Sequence, residues 1–431
     1  LVTLAKNKLQ LFIEMARAGD VSFVRIGPQP LVLLTDPDLI QQVLVTDQKS
    51  FTKGRALERT KTLLGNGLLT SEGSFHLRQR RLAQPAFHKQ RIHSYSVVMG
   101  DESAKVRDSW RDGATMDVHE EMMRLTLTIA GKTLFDANVR EEAHVVDEAM
   151  ALSLKMFQYT VLPAGAVLEY IPIGWIGRLH RARARMDALI YQLIEDRRRS
   201  GTDRGDLLSM LVAARDSEGD HSGMTDEQLR DEIVTLLMAG HETTAVAMSW
   251  TWYLLSQNPD AERQLHEEVD GVLGGRTPTF DDMPRLPYTR QVIAEAMRLY
   301  PPAWIVERQA THDMEIGGYR IKGGTLVYAS QYLMHRDPRY WTNPEQFDPS
   351  RWAPDAPGAA ERPKFAYFPF GAGTRICIGE QFAWMEAVLA LATLAQRWTL
   401  RHDPTHMVEM EPLVTLRPKH GMRMHVIERK H

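Results

Sequence analysis

Cysteine is nearly absent: Cys377 is the one such residue in a chain of 431. A lone cysteine cannot close a disulfide within the chain, which rules out a disulfide framework, a Cys-rich zinc module and an iron–sulfur pattern. No apolar run reaches the ~20 residues that a membrane-spanning helix needs. A charge of one sign is also missing. The net charge is −3, so bulk charge gives no reason to expect a nucleic-acid partner. There is no long Ser/Gly/Pro tract, no convincing internal repeat and no block of like charge, hence no visible linker. Length alone would favour two or three domains, but the missing linker points to one unit over residues 1–431. These absences read as a soluble, cytoplasmic chain, expected to be a monomer. The first residue is Leu1, not Met, which leaves open the removal of a leader or anchor.

Hydrophobic residues make up 43% of the chain and charged residues 25%, ordinary values for a globular protein with a large core. The single cysteine stands in Phe370-Gly-Ala-Gly-Thr-Arg-Ile-Cys377-Ile-Gly379. Gly371, Gly373 and Gly379 allow turns that other residues resist and let backbone approach a ligand closely. From Glu380 to about Gln396 there is no proline or glycine, and the pattern predicts a helix. The sulfur would then lie at a helix N-terminus, where partial positive charge favours thiolate. A thiolate held rigidly behind an aromatic ring suits a permanent iron ligand, and axial thiolate on haem iron favours O–O cleavage.

Phe370, Gly371, Gly373, Arg375, Cys377 and Gly379 resemble the haem-binding signature of the cytochromes P-450. The resemblance covers roughly residues 20 to 425. It implies that fold, mainly α with a minor β-rich lobe, with Cys377 as the metal ligand of haem b. The residue pattern is consistent with this. Strand-like or apolar runs occupy about 20–50, 313–330 and 408–427, with Asp36-Pro37 opening a short helix to about Thr46. Residues 100–260 read as helical, with breaks near Pro163 and Pro172.

Thr225 and Gln228 form a capping box, and nothing firmly breaks the helix from there to Asn258, before Pro259. In its middle, Ala239-Gly-His-Glu-Thr-Thr244 interrupts an apolar stretch. A mid-helix glycine and a mid-core glutamate are both costly without a purpose. The hexapeptide resembles the family's oxygen-binding signature. Carried over, Gly240 leaves room for O2, Thr243 hydrogen-bonds dioxygen and Glu242 relays protons. His241 falls on another face, and a structural or solvent-facing role is expected for it.

Glu295 and Arg298, three apart, share a helical face. With Arg351 they match the family's Glu-x-x-Arg and Phe-x-Pro-x-Arg elements and are expected to form a structural triad. Trp352 departs mildly from the usual phenylalanine. His76, Arg80, Arg308 and Arg375 match positions that hold the haem propionates, although His76 stands where tryptophan is commoner. Arginine suits the role because its fork pairs bidentately with carboxylate.

The expected pocket wall is mostly apolar: Leu68, Leu69, Leu237, Ala239, Ala303, Trp304, Ile305, Leu413 and Val414. It implies a small lipophilic substrate, such as a fatty acid, terpenoid or steroid. The chain carries no Gly-rich dinucleotide fingerprint. Electrons from NAD(P)H would therefore arrive through a separate ferredoxin or flavodoxin with its reductase. Arg78, Arg80, Arg81, Lys89 and Arg91 are a candidate docking face for it, or else a solvated basic helix. The reading is a monooxygenase inserting one atom of O2 by hydroxylation or epoxidation. Two alternatives are a peroxide-driven peroxygenase and a non-enzymatic haem-binding or sensor protein.

Overall fold

A computed structural model describes residues 8–135 and 174–430, apart from 217 and 220, together with Ala149, Leu152 and Met156. The breaks expected near Pro163 and Pro172 lie outside these residues. The first part contains α1 (Lys8–Ala16), β1 (Val21–Ile26), β2 (Gln29–Leu34), α2 (Pro37–Gln41), β3 (Phe51–Lys53) and α3 (Arg55–Arg59). Next come α4 (Lys61–Leu64), α5 (Gly73–Ala83), α6 (Lys89–Ser109), β4 (Thr115–Asp117) and α7 (Val118–Phe135). The long helices follow: α8 (Gly174–Ser200), α9 (Leu207–Ala213), α10 (Asp226–Gln257), α11 (Pro259–Leu273) and α12 (Pro287–Leu299). The chain then runs through β5 (Val306–Ala310), β6 (Met314–Ile316), β7 (Tyr319–Ile321), β8 (Leu326–Ala329) and α13 (Gln331–Met334). It closes with α14 (Glu380–Ala395), β9 (Trp398–His402), β10 (Met410–Pro412), β11 (Leu416–Pro418) and β12 (Arg423–Glu428).

Local chemistry sets the key boundaries. At the start of α10 the Thr225 hydroxyl accepts from Gln228 N at 3.2 Å, and the Gln228 side chain accepts from Thr225 N at 3.1 Å. Its 32 residues make a rod about 48 Å long, ended where Pro259 opens α11. Asp36 caps α2, accepting from two backbone N–H groups at 2.9 and 3.0 Å. The helix continues as a π-turn over Gln42–Thr46.

The main sheet has the order β1-β2-β8-β5-β3, with β2 and β8 parallel and the other neighbours antiparallel. Strand β5 lies before the stretch expected to be extended. Strands β4 and β9, which flank β12, were not foreseen either. Each is short and gains its conformation from a partner distant in sequence. The largest core joins α6, α7, α10, α12 and α14, with Trp250, Trp252 and Trp398 fully buried inside it.

Candidate active site

Helices α10 and α14 face each other across a cavity of about 570 Å³. Its floor is the loop before α14: Phe370, Gly371, Arg375, Cys377, Ile378 and Gly379 all line it. Gly373 has φ +68°, and a Cβ there would stand 2.1 Å from the Leu44 carbonyl oxygen, so only glycine fits. Gly371 also needs its φ of +71°, although space beside it is open. The loop is tied by Cys377 N donating to Phe370 O at 3.0 Å and by Arg80 donating to Ile376 O at 2.7 Å.

The sulfur's accessible surface opens on the cavity, while the rest of the thiol is packed inside the protein. That burial pushes its pKa up, and the Gly379 N–H and the Arg80 charge only partly oppose it. This corrects the expectation that the helix N-terminus makes the free sulfur a thiolate. Desolvation thus works against the helix end at this sulfur.

A cluster of cations borders the same floor. Lys53, Arg308 and Arg375 line the cavity. Lys53 donates to Leu68 O and Ser71 O at 2.9 and 3.0 Å, and Arg375 pairs with Glu72. Burial first, then Arg375, push Lys53 down to about 6 and Arg308 to about 10. His76, buried behind them, is pushed to about 3 by burial, Arg375, Lys53 and Arg80. Buried positive groups this close together, each with its pKa lowered, call for an anionic partner. A glycine-cradled thiol beside this excess of cations fits haem, with its iron at Cys377 and its propionates among Lys53, Arg308 and Arg375. Arg80 and His76 do not line the cavity: the first holds the thiol loop and the second underlies the cations. Lys53 was not foreseen, because a lysine in Phe-Thr-Lys carries no local signature.

On the opposite wall stand Leu236, Ala239, Gly240, Thr243, Thr244 and Ala247 of α10. The Thr243 hydroxyl donates to Ala239 O at 2.7 Å. Glu242 is 6% exposed and lies behind the wall, where the Thr415 hydroxyl donates to its Oε1 at 2.7 Å. Burial raises its pKa against the effects of Thr415 and Arg417. His241 is fully buried, not solvent-facing. Its Nδ1 lies 3.3 Å from Leu237 O, and its own carbonyl accepts from Thr126 of α7 at 3.0 Å. Glu386 of α14 is another buried acid that local pattern did not single out. Its carboxyl oxygens make no close hydrogen bond among the described residues, and the side chain acting on them is that of Thr244. Burial pushes Glu386 up to about 8, only partly offset by Thr244.

Leu69, Ala303, Trp304, Ile305, Leu413 and Val414 line the cavity as expected, but Leu68 and Leu237 do not. Leu237 belongs to the core between α10 and its neighbouring helices, and the next residue toward the N-terminus, Leu236, takes the wall. Leu68 is turned away because its N–H donates to Glu232 Oε2 at 3.0 Å, while Asn66 N binds Asp231 at 2.6 Å. These bonds seat the loop on α10 with Leu69 toward the cavity. At the sheet end the wall includes Glu307 and Tyr328, whose hydroxyl donates to the Glu307 carboxylate.

Behind the floor, Arg298 donates to both Glu295 oxygens at 2.8 Å and to three backbone carbonyls. Arg351 Nε donates to Glu295 Oε1 at 3.2 Å, and Trp352 Nε1 donates to Glu295 Oε2 at 3.0 Å. Trp352, which departs from the usual phenylalanine, thus adds a donor. The candidate docking face is less free than the sequence suggests. Arg81 pairs with Asp216 at 3.0 Å, Arg91 with Asp203 at 2.9 Å, and Arg78 donates to Ser222 at 2.7 Å. The Lys89 side chain lies outside the described residues.

A sequence profile described as "Cytochrome P450" matches residues 2–424. "Cyclooctatin synthase" of Streptomyces melanosporofaciens is 42% identical over 96% of this chain and 90% of its own length. "Cyclooctat-9-en-7-ol 5-monooxygenase" of the same organism is 39% identical over 94% and 87%. "Pentalenene oxygenase" of Streptomyces avermitilis is 35% identical over 98% and 94%. The crystal structure of a cytochrome P450DA heme domain superposes with a TM-score of 0.88 at 29% identity, covering 99% of this chain and 94% of that one.

Proposed function

We propose, for a chain that belongs to the cytochrome P450 family of haem-thiolate monooxygenases, that it hydroxylates or epoxidises a cyclic terpenoid with electrons from a separate redox protein. The observation that carries this reading is one cavity with Cys377 on its floor, Thr243 on its opposite wall and an otherwise mainly apolar lining. When bound, the family's haem would supply the binding and reductive cleavage of O2. The protein's own residues do the rest. Arg308, Arg375 and Lys53 would hold the propionates, whose negative charge would offset the burial that lowers the pKa of all three cations. Thr243 presents a hydroxyl to the reacting oxygen. Glu242, whose pKa burial raises, replenishes it from behind the wall. Positioned proton transfer of this kind is worth about 10²–10⁴ in rate.

The apolar wall orients a hydrocarbon skeleton by shape, and Trp304 narrows one side of it. Relatives whose names specify cyclooctatin, a cyclooctatenol and pentalenene favour a terpenoid over a fatty acid. Glu242 and Thr243 together favour O2 over peroxide as the oxidant.

The test is turnover with a surrogate ferredoxin, its reductase and NAD(P)H under ¹⁸O2, on a panel of cyclic terpenes and long-chain fatty acids, alongside hydrogen peroxide alone. The expected product is a terpene carrying one ¹⁸O, formed with the redox chain and much more slowly with peroxide. Preferential oxidation of fatty acids, or faster turnover with peroxide, would overturn the reading.

A further inference from the structure

The turn between β10 and β11 has two working faces. Leu413 and Val414 line the cavity, and Val414 is 41% exposed. The next residue, Thr415, is 3% exposed and points the other way, its hydroxyl 2.7 Å from Glu242 Oε1. The turn is braced on every side. Trp304 Nε1 donates to Leu413 O at 3.1 Å, Leu416 N to Pro302 O at 2.9 Å, and Trp250 Nε1 of α10 to Leu416 O at 2.8 Å. Leu413 N bonds both Glu411 O and Thr415 O at 3.1 Å. So three cavity-wall residues, Trp304, Leu413 and Val414, are mechanically continuous with Thr415, whose side chain holds Glu242.

We propose that Thr415 is the positioning residue for Glu242, and that the Leu413–Thr415 turn links contact at the cavity wall to the readiness of that acid to give up its proton. The inference rests on the reading of Glu242 as the proton source. A hydrogen bond donated to a carboxylate stabilises the charged form. While the turn holds the hydroxyl on Oε1, Glu242 releases its proton more readily. When the turn loosens, burial alone governs, and the proton is retained. Pressure from a substrate on Val414 keeps the turn closed, so proton delivery is favoured when there is something to oxidise. The other charged group acting on Glu242 is Arg417 of β11, itself held by Glu411 at 2.8 Å. Nearby on α10 and α7, burial lowers His241 and His119 to about 4 each, which leaves both neutral near pH 7. Arg417 is tied to Glu411, and Thr415 is the neutral donor whose position is set by the turn.

The test has a readout independent of turnover. In the holoenzyme, the infrared carboxylic-acid band present in wild type and missing in Glu242→Gln is titrated against pH. Thr415→Val, which keeps the shape and removes the donor, is expected to move the midpoint up by about one pH unit, tenfold in proton affinity. Thr415→Ser should stay at the wild-type value. Val414→Gly, which weakens the cavity face of the turn, should move the midpoint in the same direction as Thr415→Val. In turnover, Thr415→Val should divert several-fold more of the NAD(P)H electrons to peroxide, and Thr415→Ser should restore coupling. A Thr415→Val midpoint and coupling equal to wild type, with Glu242→Gln uncoupled, would overturn this inference and leave Glu242 in its role. A well-coupled Glu242→Gln would instead remove Glu242 as proton source.

Discussion

Gly373 and Glu386 show how much a single position can decide. At Gly373 the backbone is left-handed, and an added Cβ would collide with the Leu44 carbonyl oxygen. Neither side can yield, because both are backbone. Gly373→Ala should therefore give protein that binds little haem, measured as the ratio of haem absorbance to protein after reconstitution. Gly371→Ala meets open space and should lose only about 1–2 kcal/mol of stability from its backbone conformation. Equal haem binding in the two variants would contradict this account of the loop. Glu386 is fully buried with a pKa near 8 against an ordinary 4.5. Its folded form binds a proton that the unfolded form has released, so its contribution to stability is complete below pH 4.5 and is lost as pH rises through about 8. Buried His76, His119 and His241 act with opposite sign at lower pH, because their folded forms resist protonation. Comparing Tm against pH for wild type and Glu386→Gln isolates the acid: the variant should lose less stability between pH 5 and 8 (a window set by those two pKa values). Parallel curves would mean that Glu386 is not held protonated. That Cys377, Thr243, Gly240, Gly371 and Gly379 meet at one cavity was legible in the sequence, because residue type and short spacing mark them. Lys53, Glu386 and Thr415 were not, because each acquires its role from a neighbour far away in the chain.

At the scale of elements, α10 and the Glu295 network carry most of the design. The span of α10 was readable from a capping box at one end and proline at the other. Ala239, Gly240 and Thr243 line the cavity as the pattern implies, but one turn earlier Leu236 reaches it and Leu237 does not. An apolar run on both sides of the hexapeptide gives no contrast from which to set the helical phase there. The missed strands β5 and β9 have the same kind of cause. Val306-Glu-Arg-Gln-Ala310 alternates only weakly, and it becomes a strand because β8 and β3 lie on either side. Glu295 ties α12 to the segment around Arg351, with Arg298 completely buried between them. Removing a buried charge leaves its partners uncompensated at a cost of about 3–5 kcal/mol. Glu295→Ala should lose stability in that range by denaturant unfolding, together with much of its haem. A loss below about 1 kcal/mol would place the network among ordinary surface ion pairs.

Across the whole molecule, the cavity stands between the helical body and the main sheet, with the Cys377 thiol on its floor and apolar residues over most of the rest. Among the described residues, no helix is long and apolar enough to cross a membrane. Filling the cavity near α10 should change what is oxidised and leave the floor unchanged. Ala239→Phe is expected to lower affinity for large terpenes at least tenfold, read from spin-state titrations, while the haem content remains that of wild type. Unaltered affinity would place the substrate elsewhere. The central claim, that Cys377 anchors haem through its sulfur, is tested most directly by the absorption spectrum of the reduced protein under carbon monoxide, for wild type and Cys377→Ala. The account predicts a strongly red-shifted Soret band in wild type that disappears in the variant. An unshifted band in wild type, or the same shifted band in both proteins, would contradict it.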